Sequence, residues 1–112
     1  MSYYQHPLDV TGLPSWKALE EHRLAMQHFS MREAFAADAR RFQRFSLDSC
    51  GLLLDYSKNL IDERGLELLI QLADQAGLHE SIAALYSGER VNASEGRAAL
   101  HTALRSPIGR RL

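Results

Sequence analysis

The sequence predicts a mainly α-helical fold with one small β-hairpin, in a single partial domain over residues 1–112. Three stretches between residues 62 and 105 repeat apolar side chains at helical spacing, and capping residues flank each stretch. Only residues 45–56 combine two short apolar runs with a turn between them. Helices are therefore expected over most of the chain, interrupted once by the hairpin.

Residues 1–12 are expected to form an extended arm, because they contain a proline, a glycine and little apolar periodicity. Helices are expected over residues 13–44. The first of them opens at Pro14, since proline lacks an N–H and fits the first turn of a helix. Its apolar positions continue to about His28.

A second helix is predicted from the capping pair Ser30 and Glu33, and Asp38 can cap a further short helix. That further helix carries three arginines, Arg40, Arg41 and Arg44. They could form a phosphate or nucleic-acid patch, or the solvated face of a helix that flanks Phe42. The short run and the near-zero net charge favour the solvated face.

The hairpin is predicted over residues 45–56. Residues 45–48 alternate with period two, Ser49-Cys50-Gly51 breaks the alternation, and residues 52–56 form a compact apolar run. Its three consecutive leucines predict a strand that is apolar on both faces, which is typical of a strand with a layer of structure packed on each face. Without that cover the chain is expected to expose a large apolar surface.

The first two of the three later helices are predicted from residues that are typical of helix ends. The first begins at Asp62, and Gly77 can supply the left-handed residue that follows a helix. The second begins at Leu78 and ends at Gly88.

The third helix is predicted over residues 93–105. The side-chain oxygen of Asn92 can accept a helix N–H, and Glu95 can reach back to the cap in return. Alanines and leucines then repeat on one face, and Pro107 prevents continuation.

Composition narrows the classes of function. Lys plus Arg number 13 against 14 Asp plus Glu, so a nucleic-acid partner is not expected. No apolar run approaches the length of a bilayer span and no signal peptide is recognised, so no membrane partner and a cytoplasmic location are expected. The single cysteine, Cys50, excludes an internal disulfide and is expected to be a small packed residue.

No catalytic, cofactor-binding or metal-binding residue is assigned from the sequence. Asp55-Tyr56-Ser57-Lys58 brings together four reactive side chains but fits neither a nucleophile motif nor a phosphate loop, so it is interpreted as an anchor of the strand-to-helix turn. The histidines lack metal-ligand spacing: His6, His22, His28, His79 and His101.

Two features of the 92–105 segment have competing interpretations. Glu95 and Arg97 could position a phosphate or a carboxylate at a helix N-terminus, but a cap and a structural tie are preferred. His101 is expected to form a hydrogen bond in a protein core, with direct catalysis as the lesser alternative.

The 92–105 segment also resembles the Asn-x-Thr/Ser-Glu-x-Arg-x-x-Leu-His-x-Ala-Leu-Arg stretch near the start of glucose-6-phosphate isomerases. The residues that carry the resemblance are Asn92, Ser94, Glu95, Gly96, Arg97, Leu100, His101, Ala103, Leu104 and Arg105. Residues 29–32 and 55–59 resemble stretches at similar order and spacing in bacterial members of that family. The resemblance therefore covers nearly the whole chain.

The resemblance implies an N-terminal fragment of a cytoplasmic, homodimeric enzyme that interconverts glucose 6-phosphate and fructose 6-phosphate in glycolysis and gluconeogenesis. It implies no metal or organic cofactor, and catalytic residues on later segments, so the fragment alone is expected to be inactive. The implied fold is the N-terminal helical portion of the large α/β lobe of a sugar-phosphate isomerase.

Two alternatives from other classes remain at this point. One is a free-standing helical protein-interaction module. The other is a basic-patch binder built from Arg40, Arg41, Arg44, Arg110 and Arg111.

Overall fold

The computed structural model describes residues 8–92 and 94–109. Five α-helices and one hairpin follow one another in the chain: α1 (Pro14–Ala25), α2 (Met31–Ala37), α3 (Arg41–Arg44), β1 (Ser46–Ser49), β2 (Leu52–Asp55), α4 (Glu63–Gln75) and α5 (Leu78–Ser87). Short 3₁₀ helices occupy Val10–Gly12, Met26–His28 and Leu100–Arg105. The mainly helical fold with one antiparallel hairpin is confirmed. The division into an arm, two groups of helices and one partial domain stays a prediction.

The predicted extended arm is only partly described, because residues 1–7 lie outside the described residues. The remainder is not extended. Val10–Gly12 forms a 3₁₀ turn, and the Asp9 carboxylate accepts a hydrogen bond from the Thr11 N–H at 3.0 Å. A short polar side chain that accepts from a nearby backbone N–H stabilises such a turn, which explains the difference.

The main helical contact joins α1 and α4. Gly65 lies in this contact: a Cβ on this residue would meet Cδ2 of His22 on α1 at 3.7 Å and Oδ1 of Asp62 at 3.1 Å. Leu68, one turn later on the same face of α4, is 2% exposed. At the other end of the pair, the Ser15 N–H at the start of α1 donates to Oε1 of Gln75 at 3.1 Å. A side chain of α4 thus satisfies a free N–H of α1.

The turn between β2 and α4 is held by Arg41, which is 4% exposed. Its Nε donates to the carbonyl oxygen of Ser57 at 2.8 Å. Its Nη2 donates to the carbonyl oxygens of Asn59 at 3.2 Å and Ile61 at 2.9 Å. One guanidinium therefore satisfies three backbone acceptors of a segment 16 to 20 residues further along the chain.

Aromatic rings surround the same guanidinium. Its Cζ lies 4.4 Å from the ring centroid of Phe45, 5.5 Å from that of Phe29 and 5.6 Å from that of Phe35. Both sequence interpretations of the three arginines are wrong for Arg41, which is neither solvated nor part of a basic patch. The planar guanidinium can stack on rings and donate in its own plane at once, so burial does not leave it unsatisfied.

The other two arginines also fail to form a patch. Arg44 makes ion pairs with Asp38, at 2.8 Å, and with Glu63 in the first turn of α4. Arg40 is exposed. A basic-patch binder is therefore not supported by this part of the chain, and Arg110 and Arg111 lie outside the described residues.

The hairpin has a two-residue turn. Ser49 pairs with Leu52, and both turn residues have positive φ, 53° for Cys50 and 74° for Gly51, as a type I′ turn requires. Cys50 is exposed, so the prediction of a packed cysteine is wrong. It fails because the tight turn places this side chain at the tip of the hairpin.

The leucines of the hairpin are exposed on both faces. The cross-strand pairing places three leucines, Leu47, Leu52 and Leu54, on one face. Leu53 lies on the other face, opposite Asp48. All four leucine side chains are more than half exposed, so the expected exposure of apolar surface is confirmed.

Glycines end α4 and α5 as predicted. Gly77 has φ of 73° and Gly88 has φ of 80°, both in the left-handed region. The N–H of Gly77 donates to the carbonyl of Asp74 at 3.0 Å, which closes the last turn of α4. No helix within the described ranges is long and apolar enough to cross a bilayer.

The predicted α-helix over residues 93–105 is wrong in the part that the structure describes. Asn92 and Arg97 form an antiparallel bridge around a turn in which Gly96 has φ of 64°. A 3₁₀ helix follows at Leu100–Arg105, and Leu104 is 89% exposed. A short amphipathic helix gains most of its stability from packing of its apolar face, and Leu100 and Leu104 are more than half exposed in the part of the chain that the structure describes.

We predict that Arg41→Met destabilises the turn before α4 by about 3 kcal/mol, because one buried carbonyl and two partly buried carbonyls lose their donor. Arg41→Lys should be intermediate, since an ammonium group cannot donate in a planar fork. Hydrogen exchange of peptides covering residues 57–62 measures the effect. Arg40→Met is the matched control and should stay within about 0.5 kcal/mol of the parent chain. Equal protection in Arg41→Met and the parent would contradict this account.

We also predict that the chain alone binds a hydrophobic dye and self-associates or unfolds with low cooperativity, because the hairpin leucines face solvent. Leu52→Thr combined with Leu54→Thr should lower dye fluorescence without changing the circular dichroism of the helices. Asp48→Thr, on the other face, is the control. A monomer by sedimentation with a sharp thermal transition and no dye binding would instead indicate a self-sufficient domain.

Candidate functional site

The candidate site is a groove of about 510 Å³ between the second half of α1 and the start of α4. Its volume lies in the range of small-molecule sites. The lining combines five apolar and four polar side chains with one glycine: Leu19, His22, Arg23, Met26, Asn59, Leu60, Ile61, Asp62, Gly65 and Leu69. The 59–62 segment forms one wall, and the carbonyl oxygens of Asn59 and Ile61 hold that segment to Arg41.

A histidine and a carboxylate meet in this groove. Nε2 of His22 lies 2.8 Å from Oδ1 of Asp62. The same oxygen accepts the N–H of Gly65 at 2.8 Å, so Asp62 is both the N-cap of α4 and the partner of His22. An ionised carboxylate can only accept hydrogen bonds, so His22 donates through Nε2. The His22 side chain is 17% exposed.

The environment of Asp62 favours its charged form. Burial raises the pKa of this carboxyl, but the hydrogen bonds from Gly65 and His22 and the attraction of the His22 ring lower it. The net result is a pKa below the ordinary value for aspartate. A carboxylate at the N-terminus of a helix also interacts favourably with the helix dipole.

The geometry of the His22–Asp62 pair indicates a structural role and not a catalytic one. Oδ1 of Asp62 accepts both the cap hydrogen bond from Gly65 and the hydrogen bond from His22, so the pair links α1 to α4. The groove offers one imidazole and one carboxylate, too few ligands for a closed metal site. Elsewhere in residues 8–92 and 94–109, no three His, Cys, Asp or Glu side chains gather as a metal site would need.

The reactive run after β2 lies beside this groove, not within it, and acts as an anchor. Oδ1 of Asp55 accepts from the Ser57 N–H at 2.9 Å and from Oγ of Ser57 at 2.6 Å, and these bonds lower the pKa of Asp55. Ser57 is 1% exposed. The Tyr56 ring packs edge-on against Phe45 with centroids 5.9 Å apart, and Lys58 is exposed. The geometry agrees with the structural interpretation of this run.

The residues that the sequence singles out on the 92–105 segment lie away from the groove, whose lining includes no described residue of that segment. Asn92 Oδ1 accepts from the Glu95 N–H at 3.2 Å, as predicted. The predicted return bond from Glu95 to the Asn92 N–H is not formed: that N–H donates to the carbonyl of Arg97 at 3.0 Å, and the Glu95 carboxylate accepts from Nδ2 of Asn92 at 3.3 Å. Arg97 and His101 are exposed. The core hydrogen bond expected of His101 is not formed within the described part of this chain, and stays a prediction for a longer protein.

The roles of Arg41 and of the His22–Asp62 pair are not predicted from the sequence. Arg41 was considered only as a surface cation, and His22 was considered only for metal spacing. His22 and Asp62 are 40 residues apart, so no local pattern joins them. A usable signal for Arg41 was the group of phenylalanines on either side of it in the sequence, Phe29, Phe35 and Phe45.

Comparison with known proteins identifies the family. The model of the family described as phosphoglucose isomerase matches residues 55–112. The chain is 80% identical over all 112 residues to glucose-6-phosphate isomerase of Ectopseudomonas mendocina (strain ymp). It is 63% identical over 112 residues to that of Pseudomonas putida (strain W619), and 67% identical over 109 residues, 97% of this chain, to that of Stutzerimonas stutzeri (strain A1501). The chain spans about 20% of the length of each of these relatives.

The matched family is one of isomerases that act on a sugar phosphate. The chain belongs to the phosphoglucose isomerase family. The resemblance carried by residues 29–32, 55–59 and 92–105 is thereby confirmed. These matches give no support to a free-standing interaction module.

We predict that Asp62→Ala lowers the free energy of unfolding by about 1 to 2 kcal/mol through loss of the cap of α4 and of the His22 link. Asp62→Asn should cost less, because asparagine is also a strong N-cap. Hydrogen exchange of peptides covering residues 62–68 measures the local free energy of unfolding in both variants, and it needs no cooperative global transition.

The pH dependence of stability separates the contribution of the Asp62 charge from that of its cap hydrogen bond. Since the folded-state pKa of Asp62 is lowered, its carboxylate stabilises the fold above the unfolded-state pKa of about 3.9, and this contribution disappears as pH falls through the folded pKa. The parent should therefore lose more stability than Asp62→Asn between about pH 5 and pH 3. Asp48→Asn, at an exposed strand position, is the control. Parallel profiles for parent and Asp62→Asn would show that the charge contributes nothing.

Proposed function

We propose that this chain is the N-terminal part of a glucose-6-phosphate isomerase that interconverts glucose 6-phosphate and fructose 6-phosphate in glycolysis and gluconeogenesis. The observation that carries the proposal is the 80% identity over all 112 residues to a protein named glucose-6-phosphate isomerase. The match to the family model supports it from a separate comparison.

Within that enzyme, the role proposed for this chain is that of a scaffold. Three of its polar side chains, Arg41, Asp55 and Asp62, form hydrogen bonds with backbone groups of the chain itself. The groove has one exposed arginine, Arg23, whereas a phosphate clamp is usually built from several donors. We therefore infer that the general base and the phosphate-binding groups belong to later segments of the enzyme.

The proposal extends to assembly and location. We propose a cytoplasmic homodimer that acts on its sugar phosphate without a metal or organic cofactor. The exposed leucines of the hairpin and of the Leu100–Arg105 helix support a larger assembly, because apolar surface of this kind is normally covered.

The chain alone is predicted to have no isomerase activity, whereas the product of a reading frame continued beyond residue 112 should convert fructose 6-phosphate to glucose 6-phosphate. A coupled assay with a dehydrogenase specific for glucose 6-phosphate measures both preparations. An inactive but folded longer product would overturn the proposed function. Turnover that copurifies with the chain alone and vanishes in Glu95→Gln would keep the function but overturn the scaffold role.

A structural role also predicts how variants of the longer enzyme behave. Arg41→Met should lower the melting temperature and the yield of active protein, with little change in KM, because Arg41 stabilises the fold and does not touch substrate. Arg40→Met, at the exposed position directly before the buried arginine in the chain, should change neither quantity. A large rise in KM at unchanged melting temperature would place Arg41 in the substrate site.

A further inference from the structure

We draw no further inference here: the strongest candidate, the largely apolar groove between α1 and α4 beside the His22–Asp62 pair, is an open face, and nothing in the structure shows what covers it.

Discussion

The described structure depends on one buried cation. Arg41 lies on a four-residue helix that could not persist alone, yet its guanidinium bonds three carbonyls of the turn before α4 and contacts three aromatic rings. In the part of the chain that the structure describes, no carboxylate pairs with it. Its charge is compensated by carbonyl dipoles and ring faces, which is the environment that a weakly hydrated, planar cation tolerates better than an ammonium. Because a buried carbonyl left without a donor costs about 1 to 3 kcal/mol, the bond from Arg41 to the buried Ser57 carbonyl makes the turn depend on the arginine.

The effect of Arg41 reaches α1 through the residues next to the turn. The carbonyl that it binds on Ile61 directly precedes Asp62, so the guanidinium fixes the backbone from which the cap of α4 projects. Asp62 in turn accepts from Gly65 and from His22, which lies on α1. A sequence of short contacts therefore runs from α3 through the turn and the cap of α4 to α1. Gly65 permits these contacts, because a side chain at this position would crowd both Asp62 and His22.

The sequence was sufficient where the physical cause is local. The cap at Ser30, the start of α4 at Asp62 and the left-handed glycines after α4 and α5 each depend on residues a few positions apart, and each was predicted. The hairpin was also predicted, although its exposure at Cys50 was not. The carbonyl partners of Arg41 and the His22–Asp62 pair could not be predicted in this way, because the residues they join lie 16 to 40 positions apart. The phenylalanines near Arg41 in the sequence were the local sign of its burial.

The segment over residues 92–105 shows how local signals and packing can separate. The Asn92 side chain accepts the N–H of Glu95 as predicted for a cap, but a turn and a 3₁₀ helix follow in place of the α-helix. The cap satisfies one or two backbone groups, whereas an amphipathic helix of this length needs its apolar face covered to be stable. Leu100 and Leu104 have no such cover here, since both are more than half exposed. The same segment carries the most detailed resemblance to the isomerase family. Under the proposed function, the part of the enzyme beyond this chain would have to supply the surface on which its helical signals take effect.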